Sequence, residues 1–249
     1  MIRPLSFFLL VVMNLLFACA TPELVRVTED NVRVDTTRMA EDPGMKALIA
    51  PYRAKLAEEM NLVVGHLAEA LEKGYPESGL GNMVADVLQV EAQRLLGQPV
   101  DFALANSGGL RRPDLPAGPI TRKMIFELLP FDNRLVVLSL SGKTVVQLIE
   151  HMADRGGWPV SETLRYVIQD GRAVDIRIDG EPIHEDRTYR VAMPDYVANG
   201  GDDCAFLVDF PQEDAGVFMR DAVIHYFAQA RQQNRALSFP LDGRVRELE

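Results

Sequence analysis

Apolar residues at Met45, Leu48, Ile49, Tyr52, Leu56 and Met60 recur three and four positions apart, which predicts a helix. Pro51 falls within this stretch and either starts the main helix or kinks it. A second helix is predicted over about 78–96, with Met83, Val84, Val87, Leu88 and Leu95 on one side and Gly97 as its stop. The period then changes. Val100 to Leu104 reads as a short strand, and 133–140 contains the unbroken apolar run Leu135-Val136-Val137-Leu138, the mark of a well-buried strand. Ser141-Gly142 hands the chain to a helix carrying Val145, Leu148, Ile149 and Met152. Strands are predicted at 165–169, 173–178 and 189–192, punctuated by the turn pairs Asp170-Gly171 and Asp179-Gly180. A last helix, from about Gly216 to Ala230, places Met219, Val223, Phe227 and Ala230 on one face. Helices interleaved with strand pairs define an α+β fold, with mixed sheets flanked by helices.

The N-terminus follows another pattern. Arg3 precedes an apolar run from Leu5 to Phe17, broken mainly by Ser6 and Asn14 and too short to span a bilayer comfortably. It ends in Leu16-Phe17-Ala18-Cys19, which resembles a bacterial lipobox. Cys19 would then carry the lipid and become the mature N-terminus; an ordinary cleaved signal or an N-terminal anchor are the alternatives. The expected organisation is a signal peptide at 1–18, a polar tether at 19–42 and one domain at 43–249. Within the tether, Val25, Val27, Val32 and Val34 alternate and can pair as a short hairpin. The whole describes an exported bacterial lipoprotein of the cell envelope, facing the periplasm or the outer membrane.

Composition narrows the function. The 249 residues are 47% hydrophobic and 25% charged, a globular balance, and the formal net charge of -10 excludes nucleic acid as the main partner. A small nucleoside is compatible with that charge, because aromatic faces and a few hydrogen bonds suffice to read it. Only two cysteines are present, Cys19 and Cys204, so no disulfide framework forms.

Three segments carry candidate binding chemistry. In Asn106-Ser107-Gly108-Gly109-Leu110-Arg111, a glycine turn lets backbone approach a ligand while Asn106 and Arg111 supply an amide and a fork of donors. A tight turn with a surface arginine is the plainer reading. Phe131 precedes the apolar strand, where it either stacks on a base or lies in the core under a loop. Tyr196 and Asn199-Gly200-Gly201-Asp202 offer a second aromatic and a carboxylate able to accept from sugar hydroxyls, against the alternative of a solvated loop.

Taken in order, ESGLGNMVADVL at 77–88, NSGGLR at 106–111, LLPFDN at 128–133 and YRVAMPDYVANGGDDC at 189–204 resemble the C-terminal domain of the 5'-nucleotidase family. The resemblance covers roughly residues 43 to 235. It implies that this domain grips the nucleoside through Asn106, Arg111, Phe131, Tyr196 and Asp202, while a separate metallophosphatase domain cleaves the phosphate ester. Two departures stand out. Lys73-Gly74-Tyr75-Pro76 occupies a place where family members often bring another arginine, and Glu162 replaces a usual glycine.

The sequence displays no signature of two-metal or nucleophile chemistry. Its four histidines, His66, His151, His184 and His225, form no Asp-X-His, Gly-Asn-His or His-X-His grouping. There is no Gly-X-Ser-X-Gly elbow, and Cys204 has no nearby histidine in sequence. No catalytic residue, metal ligand or cofactor is therefore expected in this chain, divalent metals being expected only in a partner phosphatase. The resulting expectation is a membrane-anchored module that recognises a nucleoside or nucleotide and acts with a metallophosphatase in trans during nucleotide catabolism. A nucleotide hydrolase in its own right, or a structural lipoprotein that has lost its ligand, are the alternatives. If Cys19 is the lipidated residue, Cys19→Ser will move the protein out of the membrane fraction or block its maturation. Unchanged fractionation together with an unmodified Cys19 in the wild type would refute the anchor.

Overall fold

The protein is described by a computed structural model that covers residues 42–248. The expected signal peptide, Cys19 and the expected tether hairpin lie outside the described residues. Two units are distinguished, 1–50 and 51–249. Helix α1 (Pro43–Met60) contains Pro51 in its interior rather than at its start, and none of its residues is buried. No helix among the described residues is long and apolar enough to cross a membrane.

Within residues 51–249, the chain order is β1 (Val63–Leu67), β2 (Leu71–Glu72), α2 (Gly79–Leu96), β3 (Phe102–Ala103), β4 (Asp114–Leu115), β5 (Gly118–Thr121), α3 (Arg122–Leu128), β6 (Arg134–Ser141), α4 (Gly142–Ala153), β7 (Leu164–Gln169), β8 (Arg172–Ile178), β9 (Glu181–Pro182), β10 (Thr188–Pro194), α5 (Asp195–Ala198), β11 (Gln212–Phe218), α6 (Met219–Gln232) and β12 (Val245–Leu248). One four-stranded sheet has the order β11-β6-β10-β3, a second the order β12-β7-β8-β9, and two-stranded ladders join β1 to β5 and β2 to β4.

The first four-stranded sheet is buried on both faces, which explains the continuous apolar run in β6. Side chains alternate along a strand. Leu135 and Val137 therefore enter a core built with α2 and α6, around Met83, Leu88, Val223 and Phe227. Val136, Leu138 and Leu140 enter a second core with α4, β7 and β8, around Leu148, Met152, Tyr166 and Ile178. The same alternation divides Ala103 from Phe102 in β3, and Ala192 from Val191 and Met193 in β10.

Helix ends match the sequence signals. Ser78 caps α2 by accepting from the Gly81 N–H, and Gly97 closes it in the left-handed region at φ 65°. Ser141 accepts from the Thr144 N–H to start α4. Two expectations are corrected. The strand predicted over Val100–Leu104 narrows to Phe102–Ala103, since Leu104 makes only an isolated bridge to Val160. The last helix begins at Met219, not Gly216. Gly216 sits in β11 at φ 81°, in an irregularity between Asp214 and Phe218, with its N–H donating to the Asp214 carboxylate. The helical spacing of the following residues masked a strand whose bulge only a glycine accommodates easily.

A buried arginine ties the C-terminal segment to α2. Arg244, 3% exposed, donates to Asp86 on α2 at 2.7 Å, to Asp242 at 3.0 Å and to the Val160 carbonyl at 3.0 Å. Glu77 complements it by accepting from the Asp242 and Gly243 N–H groups, both at 2.9 Å. Burial pushes the Asp86 carboxyl above its ordinary range, against the pull of Arg244. Arg244→Met will leave Asp86 and Asp242 without their cation and will destabilise the domain by about 3 kcal/mol in urea unfolding, as removal of one partner of a buried pair does. Asp86→Asn, which leaves Arg244 its bonds to Asp242, will cost less; equal losses would contradict this account.

Candidate functional site

Strand directions bring the candidate residues to one end of the doubly buried sheet. β6 runs antiparallel to β10 and β11, and β3 runs parallel to β10. The segments after β3 and β10 and the segment before β6 consequently emerge together. The first carries Asn106 and Arg111, the second Tyr196 and Asp202, and the third Phe131. All five line one open pocket of ≈ 400 Å³, completed by Gly108, Gly109 and Asn133. Phe131 and Tyr196 are 48% and 44% exposed, so neither is a core aromatic under a loop.

Asn106 is buried, and its amide Nδ2 donates to Asp202 Oδ2 at 2.7 Å. Its polar group thus reaches the pocket partly through the carboxylate it steadies. The Arg111 guanidinium lies 5.9 Å from the Phe131 ring centroid, a cation–π distance that leaves its remaining donors near the mouth. Lys73 supplies no donor to the pocket in place of the missing arginine. Its ammonium donates to the Ser107 and Leu110 carbonyls at 2.9 and 3.0 Å, which braces the glycine turn from behind.

Tyr196 and Asp202 form a closed pair. The Tyr196 hydroxyl donates to Asp202 Oδ1 at 3.0 Å and accepts from the Asp202 N–H at 3.3 Å. The bond to the carboxylate pushes the phenol above its ordinary range. Between them lies Gly201, where a Cβ would come within 2.5 Å of the tyrosine ring, so a side chain there would displace the ring.

The residues that support the site were not legible in the sequence. The loop bearing Asp202 contains two non-glycine residues in the left-handed region, Asp202 at φ 49° and Asp203 at φ 64°, a conformation that needs outside bracing. His151, at the end of α4, provides it through Nε2, 2.8 Å from the Asp202 carbonyl, while Arg155 reaches His151 Nδ1 at 3.2 Å and Asp203 at 2.9 Å. Since a carbonyl only accepts and a guanidinium only donates, these partners fix the imidazole with its proton on Nε2. Trp158 is buried and packs edge-on against this imidazole with centroids 5.7 Å apart. On the opposite wall, Arg220 donates to the Phe131 carbonyl at 3.1 Å, pairs with Asp132, and stacks on Phe126 and Phe218. None of these residues neighbours a motif residue in a pattern the sequence discloses.

The other histidines lie elsewhere. His225 bridges α6 to α2 by contacting the fully buried Glu91 at 2.9 Å. Among the described residues, no group of three or more His, Cys, Asp or Glu side chains is placed to hold a metal ion. Cys204 is a free, buried thiol, pushed up to about 11 by burial.

One end of a mixed sheet thus presents two half-exposed aromatics, an arginine, an amide and a carboxylate around a pocket. The sequence profile described as the 5'-nucleotidase C-terminal domain matches residues 63–209, and the chain belongs to that family. It is 28% identical over 233 residues to the silent protein UshA(0) of Salmonella typhimurium, covering 88% of this chain and 41% of that protein. It is also 28% identical to a 5'-nucleotidase of Vibrio cholerae, over 75% of this chain and 34% of that one. Among solved structures, a 5'-nucleotidase precursor from Thermus thermophilus superposes with a TM-score of 0.72 at 28% identity, over 84% of this chain and 44% of that one. The chain thus spans less than half the length of these relatives.

If His151 braces the Asp202 loop, His151→Ala will speed amide hydrogen exchange at Asp202 to Cys204 and lower stability by about 1 kcal/mol, the net worth of one hydrogen bond. His151→Gln, which retains a donor, will recover part of both. Unchanged exchange in the alanine variant would show that the loop holds itself.

Proposed function

We propose that this domain is a membrane-anchored recognition module for a nucleoside or nucleotide, working with a separately encoded metallophosphatase in nucleotide catabolism. The observation that carries the reading is the convergence of Phe131, Tyr196, Arg111, Asn106 and Asp202 on one pocket. Two accessible aromatic faces suit a flat base, and base stacking is worth ~1–3 kcal/mol per base. Asp202 offers acceptor oxygens to sugar hydroxyls, and Arg111, always charged, suits a sugar oxygen or a phosphate. The family membership and the names of relatives, among them 5'-nucleotidases, support a nucleotide-directed role.

Hydrolysis is assigned to the partner, together with its divalent metals, because phosphate ester cleavage by a two-metal site needs a ligand set that the described side chains do not assemble. The lipobox-like Leu16-Phe17-Ala18-Cys19 supports an exported lipoprotein at the cell envelope.

Isothermal titration of the purified protein with adenosine, carried to millimolar ligand, tests recognition. Binding is expected, and Phe131→Ala will weaken it by ~1–3 kcal/mol, about five- to over a hundredfold in Kd. Absence of binding by the wild type at those concentrations would overturn the recognition role. AMP incubated with the protein and manganese, cobalt or zinc is expected to stay intact; turnover that co-purifies with the chain would replace the partnership by an enzyme acting alone.

A further inference from the structure

The carboxylate best placed to read a sugar is already occupied by the protein. Asp202 Oδ2 accepts from Asn106, which is buried and fixed, and Oδ1 accepts from the Tyr196 hydroxyl. The two partners differ in what they can give up. Asn106 is buried within the pocket wall, whereas Tyr196 stands at the mouth, is 44% exposed, and can turn its hydroxyl to water on leaving. The tyrosine is moreover held by both ends of one residue, since the Asp202 N–H donates back to it. Resting on the nucleoside reading of this pocket, we propose that the Tyr196 hydroxyl is an internal competitor for the sugar hydroxyls of the ligand at Asp202, so that the pocket selects on the flat ring and discriminates poorly on the sugar.

The chemistry follows from the donor inventory. A ribose diol brings two O–H donors, and a carboxylate binds such a pair best when both oxygens are free. Here one oxygen carries a permanent amide and the other a phenol, so the diol must displace a charge-assisted hydrogen bond to make its own. The gain from sugar hydroxyls is correspondingly reduced, while stacking between Phe131 and the Tyr196 ring is left untouched. A ring without a hydroxyl at position 196 would keep the stack and release Oδ1.

The test compares wild type and Tyr196→Phe in titrations with adenosine and with 2',3'-dideoxyadenosine. Phenylalanine preserves the packing on Gly201, and matching melting temperatures will confirm that both proteins fold. Wild type is expected to bind the two ligands within about threefold of one another. Tyr196→Phe will bind adenosine roughly five- to tenfold more tightly, the scale of one charge-assisted hydrogen bond partly screened by water, with no change for the dideoxy analogue. An unchanged or weakened affinity for adenosine, or an equal change for both ligands, overturns the competitor role while leaving the pocket a nucleoside site. Failure of both proteins to bind either ligand at millimolar concentration overturns the nucleoside reading and the competitor role with it.

Discussion

Burial of one sheet on both faces is the constraint from which the rest of the domain follows. A strand covered on each side cannot expose its polar backbone laterally except at a sheet edge, so variation and ligand chemistry are pushed to the strand ends. β6 is the centre of this arrangement, with β10 on one side and β11 on the other. Because its neighbours run against it, its entrance lies beside their exits, and segments far apart in sequence meet there. Two cores of different composition, one helical and one built with a second sheet, hold the sheet still from opposite directions. The pocket can therefore be assembled from loops without being soft, since every loop is anchored within a few residues on the same rigid sheet.

Elements whose signals are local were legible in the sequence. Ser78 and Gly97 bracket a helix because a hydroxyl cap and a left-handed stop act within one turn of the chain. The run Leu135 to Leu138 announces its own burial. Asp170-Gly171 and Asp179-Gly180 lie at positive φ as their turn chemistry requires. What escaped depends on distant partners. β1, β5 and β12 are short and get their pairing from segments far away along the chain, and β11 is disguised by a glycine bulge just ahead of a true helix.

The candidate site divides along the same line. Asn106, Arg111, Phe131, Tyr196 and Asp202 lie in compact motifs, and the structure gathers all five at one pocket. The residues that set their geometry do not. Arg220 reaches Phe131 across 89 positions and His151 reaches Asp202 across 51, contacts that no spacing rule discloses. Lys73 is instructive in the same way. Its identity was visible as a departure, but its role, bracing the turn through the Ser107 and Leu110 carbonyls, depended on where the fold aimed the ammonium. The pocket therefore has Arg111 in its lining, while Lys73 serves the backbone behind it.

The thiol of Cys204 gives the loop beside it an unusual property. It lies fully buried two residues after Asp202, and its pKa of about 11 keeps it protonated at neutral pH. Only the thiolate attacks oxidants, disulfides or alkylating reagents at an appreciable rate. While the loop stays closed, the sulfur is chemically silent even in an oxidising compartment. Covalent labelling of Cys204 thus becomes a clock, one that runs only during the moments when this wall of the pocket comes undone.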